Sequence, residues 1–213
     1  SDFRMSRDGV RIGASEFTRR GVKLDVRSPD LTARGELKFG EFAPIAYDIM
    51  GPFRFVPFLE CRHSVFSMKN RVDGEIFING KEFIFDNGVC YIEGDRGSSF
   101  PRVYAWSQSC FPEGSVMLSV ADIPVCGIHF TGIISVIHYQ GREYRLATYL
   151  GARAAKIYDG EVVIRQGNKR LTVKRLEAKG HPLVAPVGGG MSRTIRESAA
   201  CRASYHYQED GKT

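Results

Sequence analysis

Apolar and charged residues alternate along much of this chain, and the alternation predicts β-strands. Val22–Arg27 alternates without a slip, which is the period of a half-buried strand. Residues 74–85 contain two strands around Asn79-Gly80, the dipeptide that best tolerates the positive φ angles of a type I′ hairpin. Asp86–Gly88 is predicted to turn the chain again, into a strand from Val89 to Glu93. Further strands are predicted at Leu37–Phe39, Ser115–Val120, Ile133–Tyr139, Glu143–Thr148, Glu161–Arg165, Arg170–Ala178 and Arg202–Tyr207.

Helical periodicity is not sustained anywhere, and the only helical turn predicted lies within Met191–Ala200. About ten strands joined by short turns favour an all-β, antiparallel barrel or sandwich, with less than about 15% helix. A barrel of about eight strands encloses roughly the space of one small ligand. Two long irregular stretches are predicted, Phe42–Pro57 and Leu183–Met191. Exposed aromatic residues on such loops would suit capture of an apolar ligand at a barrel mouth.

Composition narrows the classes of function. The 213 residues carry a net charge of +6, but the basic residues are spread along the chain. No nucleic-acid partner is therefore expected. The basic residues are interpreted as solvated strand faces, and attraction to an anionic membrane surface is the weaker alternative. No run approaches the roughly 20 apolar residues of a membrane-spanning helix. The five cysteines form no C-x-x-C pair, which favours reduced thiols in the cytoplasm over disulfides or a zinc site.

The chemistry is concentrated in residues 91–108, where an acidic, glycine-rich loop is followed by an aromatic run. This segment holds Glu93, Asp95 and Arg96, and also Trp106, the only tryptophan of the chain. A carboxyl group held against an apolar cavity can become a proton donor at neutral pH. Glu93 is the first candidate acid and Asp95 the second. The alternative is that Glu93 ends a strand and accepts hydrogen bonds from the backbone or from Arg96.

Neighbouring side chains are candidates for binding a substrate. Phe100, Tyr104 and Trp106 form either an aromatic wall or ordinary core. Gln108 shares a strand face with Trp106, so it could bind a hydroxyl group in the same pocket. Cys61 and His63 also share a face, although a catalytic dyad or a metal site there is the weaker interpretation. No metal is expected, because no third ligand lies at a useful spacing, and no cofactor is indicated.

Four segments in order, from about Gly74 to Ser198, resemble the tocopherol cyclase-like family. The hairpin of residues 74–85 matches the entry to the family's central motif. Residues 138–144, with the sequence His-Tyr-Gln-Gly-Arg-Glu-Tyr, match a family hairpin. Residues 182–186 with 191–198 match its closing segment. The central motif itself is matched by Glu93, Gly97, Phe100, Pro101, Trp106 and Gln108.

The resemblance implies lipocalin-like β architecture in two barrel-like halves, here residues 1–90 as a partial first domain and 91–213 as the second. It implies an isomerase that closes a chromanol ring on a prenylated quinol. Where the plant enzyme has Asn-Trp this chain has Asp95-Arg96, and a second Trp is replaced by Tyr104. The catalytic candidates are then Glu93 and Asp95, and the substrate-binding candidates are Arg96, Phe100, Tyr104, Trp106, Gln108 and His138.

Two other functions remain open, a non-catalytic carrier of a lipophilic ligand and an interaction domain with a filled barrel. The expected partner is a lipophilic small molecule. Since family members carry further residues before the point where this chain begins, we also expect either a longer native chain or a homodimer across an unpaired sheet edge. Peripheral contact of a cytoplasmic protein with a membrane is a further expectation.

Overall fold

The structure, a computed structural model, describes residues 2–6, 8–57, 59–125, 127–158, 160–177 and 180–210. It is all-β, with 69% of the described residues in strands, and its sheets are antiparallel, which confirms the predicted class. The described ranges contain seventeen strands rather than about ten. In chain order they are β1 Phe3–Met5, β2 Gly9–Ile12, β3 Ser15–Thr18, β4 Gly21–Arg27, β5 Thr32–Phe39, β6 Cys61–Ile78, β7 Lys81–Gly97, β8 Tyr104–Phe111, β9 Gly114–Val125, β10 Ile128–Tyr139, β11 Arg142–Ala147, β12 Arg153–Tyr158, β13 Glu161–Gln166, β14 Lys169–Arg175, β15 His181–Val187, β16 Gly190–Glu197 and β17 Ala203–Glu209.

The strands form four sheets. The first contains β1 to β7 in chain order, the second has the order β11-β10-β9-β8, the third has the order β12-β13-β14-β17, and β15 pairs with β16 alone. In the part of the chain that the structure describes, the first and last strands of each four- or seven-stranded sheet do not pair with each other. A closed barrel therefore stays a prediction. Two 3₁₀ helices, Gly51–Phe55 and Thr148–Leu150, are the only helical segments of the described ranges. None of the described residues belongs to a helix long and apolar enough to cross a membrane.

The chain divides into two compact units. The first comprises Ser1–Pro44 and Phe66–Ile92, and the second comprises Ile45–Val65 and Glu93–Thr213. The predicted domain boundary at residue 90 stays a prediction. In the second unit, alternate residues of the second and third sheets form one hydrophobic core, as a period of two requires. That core consists of Val116, Leu118, Val120, Ile133, Ile137, Leu146, Ala152, Ile164, Leu171 and Val173.

The predicted hairpin at Asn79-Gly80 is confirmed. The two residues connect β6 to β7, and both have positive φ, 50° and 80°, as a type I′ turn requires. The predicted turn at Asp86–Gly88 is wrong, because β7 continues through it. Asn87 does adopt a left-handed φ of 53°, but its backbone N–H donates to Asp73 Oδ1 at 2.8 Å, which keeps the chain in the sheet.

The region of residues 181–197 also differs from the prediction. Neither an irregular stretch at Leu183–Met191 nor a helical turn after it is present, because β15 and β16 form a hairpin around Gly188 and Gly189. Both glycines have positive φ, at 58° and 85°, which allows the tight reversal. The end of the predicted strand at Ala178, and Cys126 among the cysteines, lie outside the described residues.

Candidate functional site

Strand alternation brings one histidine and two carboxylates together in the second unit. His63 lies near the start of β6 on the same side as Cys61, and Glu93 and Asp95 share a side of β7 by the same period of two. Asp95 Oδ1 lies 2.9 Å from His63 Nδ1. Glu93 Oε2 lies 3.1 Å from His63 Nε2 and forms an ion-pair contact with it. These three residues are called the His63 cluster below.

His63 carries the positive charge of this cluster. Burial alone would lower the pKa of His63, since only 10% of its side chain is exposed. The carboxylates of Asp95 and Glu93 outweigh burial and raise this pKa to about 9. The ring is therefore an imidazolium at neutral pH, and its Nδ1–H donates to Asp95.

The tryptophan of the motif is the fourth member of the arrangement. Trp106 Nε1–H donates to Glu93 Oε2 at 3.2 Å, so the indole contacts the oxygen that His63 Nε2 also approaches. Trp106 comes from β8, and 38% of its surface is exposed. The site therefore places an aromatic ring that a ligand can reach beside a carboxylate and a proton-bearing imidazolium.

Cys61 does not form the cysteine–histidine dyad that was the weaker prediction. Its thiol lies 3.6 Å from Asp95 Oδ1, and the hydrogen bond runs to that carboxylate rather than to the imidazole. Burial, followed by the charge of Asp95, raises the pKa of Cys61 to about 12. Because the thiolate is the nucleophilic form, the raised pKa lowers the reactivity of Cys61 at neutral pH. The described residues also contain no group of three or more His, Cys, Asp and Glu side chains arranged to hold a metal ion.

Gly97 fixes how closely the two strands of the site approach. A Cβ atom at this position would lie 1.9 Å from the carbonyl oxygen of Glu60 and 2.8 Å from Cα of Cys61. Beyond it, the N–H groups of Ser98 and Ser99 both donate to that same carbonyl, at 2.9 and 3.3 Å. Only glycine allows this contact, which sets the register that places Asp95 beside His63.

The aromatic residues before Trp106 are held by the hairpin of β15 and β16. Phe100 and Tyr104 form an edge-to-face pair with ring centroids 6.3 Å apart. The Tyr104 hydroxyl donates to Glu197 Oε1 at 2.5 Å, and burial together with Glu197 raises the pKa of Tyr104. Arg193 Nη2 donates to the carbonyls of Phe100 and Pro101 at 3.0 and 2.9 Å. The hairpin is thus bonded to the loop that follows Asp95.

Five predicted site residues are not brought into the His63 cluster: Phe100 and Tyr104, which the hairpin holds, and Arg96, Gln108 and His138. Arg96 forms no ion pair with any described residue, so the predicted alternative of a Glu93–Arg96 pair is not formed. Gln108 Nε2 contacts Cys110 Sγ, its neighbour on β8, at 3.2 Å. His138 Nε2 lies 3.3 Å from Glu143 Oε2, within a separate network.

That separate network centres on a buried arginine. Arg145 Nη2 donates to Glu143 Oε1 at 2.8 Å and to the carbonyl of Tyr47 at 3.0 Å. Its guanidinium also lies 3.7 Å from the centre of the Tyr47 ring. These contacts attach the segment of residues 46–49 to β11, so His138 belongs to an arrangement that fixes a loop.

The sequence interpretation missed the role of His63, although it singled out the residue. It noted that Cys61 and His63 share a face, but it assigned neither of them a partner on β7. Glu93 and Asp95 lie two residues apart on the other strand of the predicted hairpin, as Cys61 and His63 do on theirs. This matching spacing could have identified the partners of His63.

Comparison with known proteins adds no relative to this picture. No family model, no curated protein and no solved structure matches the chain.

Proposed function

We propose that this chain is a tocopherol cyclase-like protein that acts by proton transfer on a lipophilic substrate at the His63 cluster. The reaction class is the ring closure of a prenylated quinol or a related isoprenoid. The observation that carries the proposal is the protonated, nine-tenths buried His63 held between Glu93 and Asp95 with the Trp106 indole beside them.

A structural role alone accounts poorly for this cluster. Burying an ion pair costs about as much desolvation energy as the attraction between the charges returns, so apolar residues of the same size would stabilise the fold equally well. Clusters of ionisable groups with displaced pKa values concentrate at functional sites. A carrier of an apolar molecule would need the aromatic wall but not the three ionisable groups.

The proposed reaction needs a group that donates a proton to the substrate and recovers a proton afterwards. His63 stores that proton at neutral pH, and Glu93 Oε2 lies 3.1 Å from Nε2. When an apolar substrate displaces water, separated charges become costlier, and transfer from His63 to Glu93 leaves a neutral imidazole and a neutral acid. Glu93 then protonates the alkene carbon of the substrate.

Ring closure follows from the cation that this step creates. The face of Trp106 and the carboxylate of Asp95 stabilise the tertiary cation while water is excluded. The phenol oxygen forms the new C–O bond, and its proton returns through the carboxylate of Glu93 to His63. Substrate and product are isomers, so no oxidant, reductant or cofactor enters the balance.

The proposal includes the finer architecture that the resemblance implies. The chain would form two lipocalin-like barrels, the second of which would hold the substrate, and the cytoplasm would be the compartment. The antiparallel sheets and the alternating core of the second unit support this arrangement.

Product analysis tests the proposal. The purified protein is incubated with prenylated quinols, and products are identified by chromatography and mass spectrometry. We expect a chromanol from the parent and at least a hundredfold slower turnover from Glu93→Gln, since general acid catalysis contributes about 10²–10⁴-fold. Asp122→Asn is the matched control, because Asp122 pairs with His129 at 2.9 Å outside the cluster. Equal turnover in parent and Glu93→Gln would refute the role of Glu93.

A carrier function is the second candidate, and a different observation favours it. The first unit contains a cavity of about 310 Å³, at the lower end of the range for small-ligand sites. It is lined by Arg19, Glu41, Phe42, Pro44 and Phe66, and it involves the Phe-Pro-rich stretch predicted to capture an apolar ligand. If the protein is a carrier, Phe42→Ala weakens quinol binding in calorimetry, Glu93→Gln does not, and no product forms.

A further inference from the structure

The hairpin of β15 and β16 has an outer face with exposed side chains. The two strands pair only with each other in the part of the chain that the structure describes. Their inner face contains Ala185, which is 1% exposed, opposite Arg193, whose guanidinium is bonded to the loop of Phe100. Ala185 and Arg193 therefore fix the hairpin at the middle of its inner face, where Leu183 and Val187 to either side are 46% and 45% exposed.

The outer face is apolar at its centre. Val184 is 59% exposed and Met191 is 66% exposed. Pro186 pairs with Met191, and Pro182 lies two residues before Val184 on the same side of β15. Such exposed side chains on one face of an isolated hairpin indicate contact with an apolar partner rather than scattered surface residues.

Positive charge lies at the edge of this apolar face. Arg196 pairs across the hairpin with Pro182 and is exposed. The only acid of the hairpin, Glu197, accepts the Tyr104 hydroxyl and belongs to the inner side. Apolar side chains beside an arginine, in a chain of net charge +6, complement the headgroups of an anionic lipid surface.

We propose that the outer face of the β15–β16 hairpin, formed by Pro182, Val184, Pro186, Met191 and Arg196, docks the protein on an anionic lipid membrane. The inner face is bonded to the loop that begins three residues after Asp95, so docking places the membrane next to the segment that carries the candidate site. A lipophilic substrate then reaches the protein from the bilayer. Only this last step rests on the proposed function; the docking itself does not.

Vesicle flotation tests the docking. Vesicles of phosphatidylcholine alone are compared with vesicles of equal parts phosphatidylcholine and phosphatidylglycerol. We expect the parent to float with the anionic vesicles, and the double variant Val184→Asp with Met191→Asp to lose about tenfold or more in affinity. Arg196→Gln should weaken binding to anionic vesicles only. Ile84→Asp, at a position of the first unit that is 70% exposed, is the matched control and should bind as the parent does.

Several results would overturn the inference. One is failure of the parent to float with either vesicle, and another is unchanged flotation of the double variant. A third is that the parent binds no vesicle but self-associates, and that the double variant abolishes this self-association. Equal binding to both vesicle types, unaffected by Arg196→Gln, would overturn the anionic headgroup as the partner. Glu93→Gln should float like the parent. A parent that binds vesicles without turnover therefore refutes the enzymatic proposal and leaves the docking surface standing.

Discussion

Replacing His63 with glutamine should make the stability of this protein less dependent on pH. Folding raises the pKa of His63 from 6.5 to about 9, so the folded state holds this proton more tightly than the unfolded chain. The resulting stabilisation is complete below about pH 6.5 and is lost as the pH rises through about 9. The difference of about 2.5 pKa units corresponds to about 3 kcal/mol of unfolding free energy.

Urea unfolding of parent and His63→Gln between pH 6 and 10 measures this quantity. The fluorescence of Trp106 is the probe, because it is the only tryptophan and its indole contacts Glu93. The advantage of the parent over the variant should shrink by about 3 kcal/mol across this range. His129→Gln is the control, since His129 pairs with Asp122 at the surface and such exposed pairs contribute little. A parent–variant difference that stays constant with pH would refute the assignment of the charge to His63.

Three other outcomes follow from the site. Gly97→Ala should destabilise the fold by about 1–3 kcal/mol in urea unfolding, because its Cβ would meet the Glu60 carbonyl. Gly190→Ala should change the unfolding free energy little, since the nearest atom lies at 3.7 Å from the added Cβ. Equal effects of the two variants would contradict the close approach at Gly97. At pH 8, iodoacetamide should label Cys61 far more slowly than the exposed Cys201. Peptide mass spectrometry measures both labelling rates, and equal rates would contradict the raised pKa of Cys61. Trp106→Ala should weaken quinol binding in calorimetry by about 1–3 kcal/mol and Trp106→Phe by less, and unchanged affinity in both would remove the indole from the ligand site.

Local patterns predicted the parts of the fold that depend on nearest neighbours. Val22–Arg27 became β4 because its alternation matches the pleat, and Asn79-Gly80 formed its turn because both residues accept positive φ. The region of residues 183–197 was misread for a related reason. Its glycines and prolines resemble loop composition, whereas pairing between β15 and β16, a non-local interaction, makes it a hairpin.

The His63 cluster depends on register, which a short sequence window does not contain. An uninterrupted ladder from the Asn79-Gly80 turn would place His63 opposite Arg96. The structure instead places Gly97 against Glu60 and Cys61, so the register has shifted before the strands reach the motif, and Asp95 meets His63. A shift of one residue exchanges the two faces of a strand, and here it exchanges a repulsive cation for an attractive carboxylate.

The candidate acids were predicted from composition and order, and the cation that accompanies them was not. Glu93, Asp95 and Trp106 do lie together, as residues on adjacent stretches of the motif. The sequence favoured Arg96 as the partner of Glu93 because it is closest along the chain, but successive residues of a strand point to opposite faces. His63 reaches the carboxylates from thirty residues away along the chain because it lies on the neighbouring strand.

Deuterium incorporation during turnover tests the central claim most directly. In D₂O, the His63 cluster donates a deuteron to the alkene instead of a proton. Each product molecule should therefore carry one deuterium on the ring carbon next to the carbon that forms the new C–O bond. The account predicts a chromanol heavier than its quinol isomer by one mass unit, formed by the parent and by Asp122→Asn and at least about a hundredfold more slowly by Glu93→Gln. A product without carbon-bound deuterium, or the absence of any product from the parent, would contradict it.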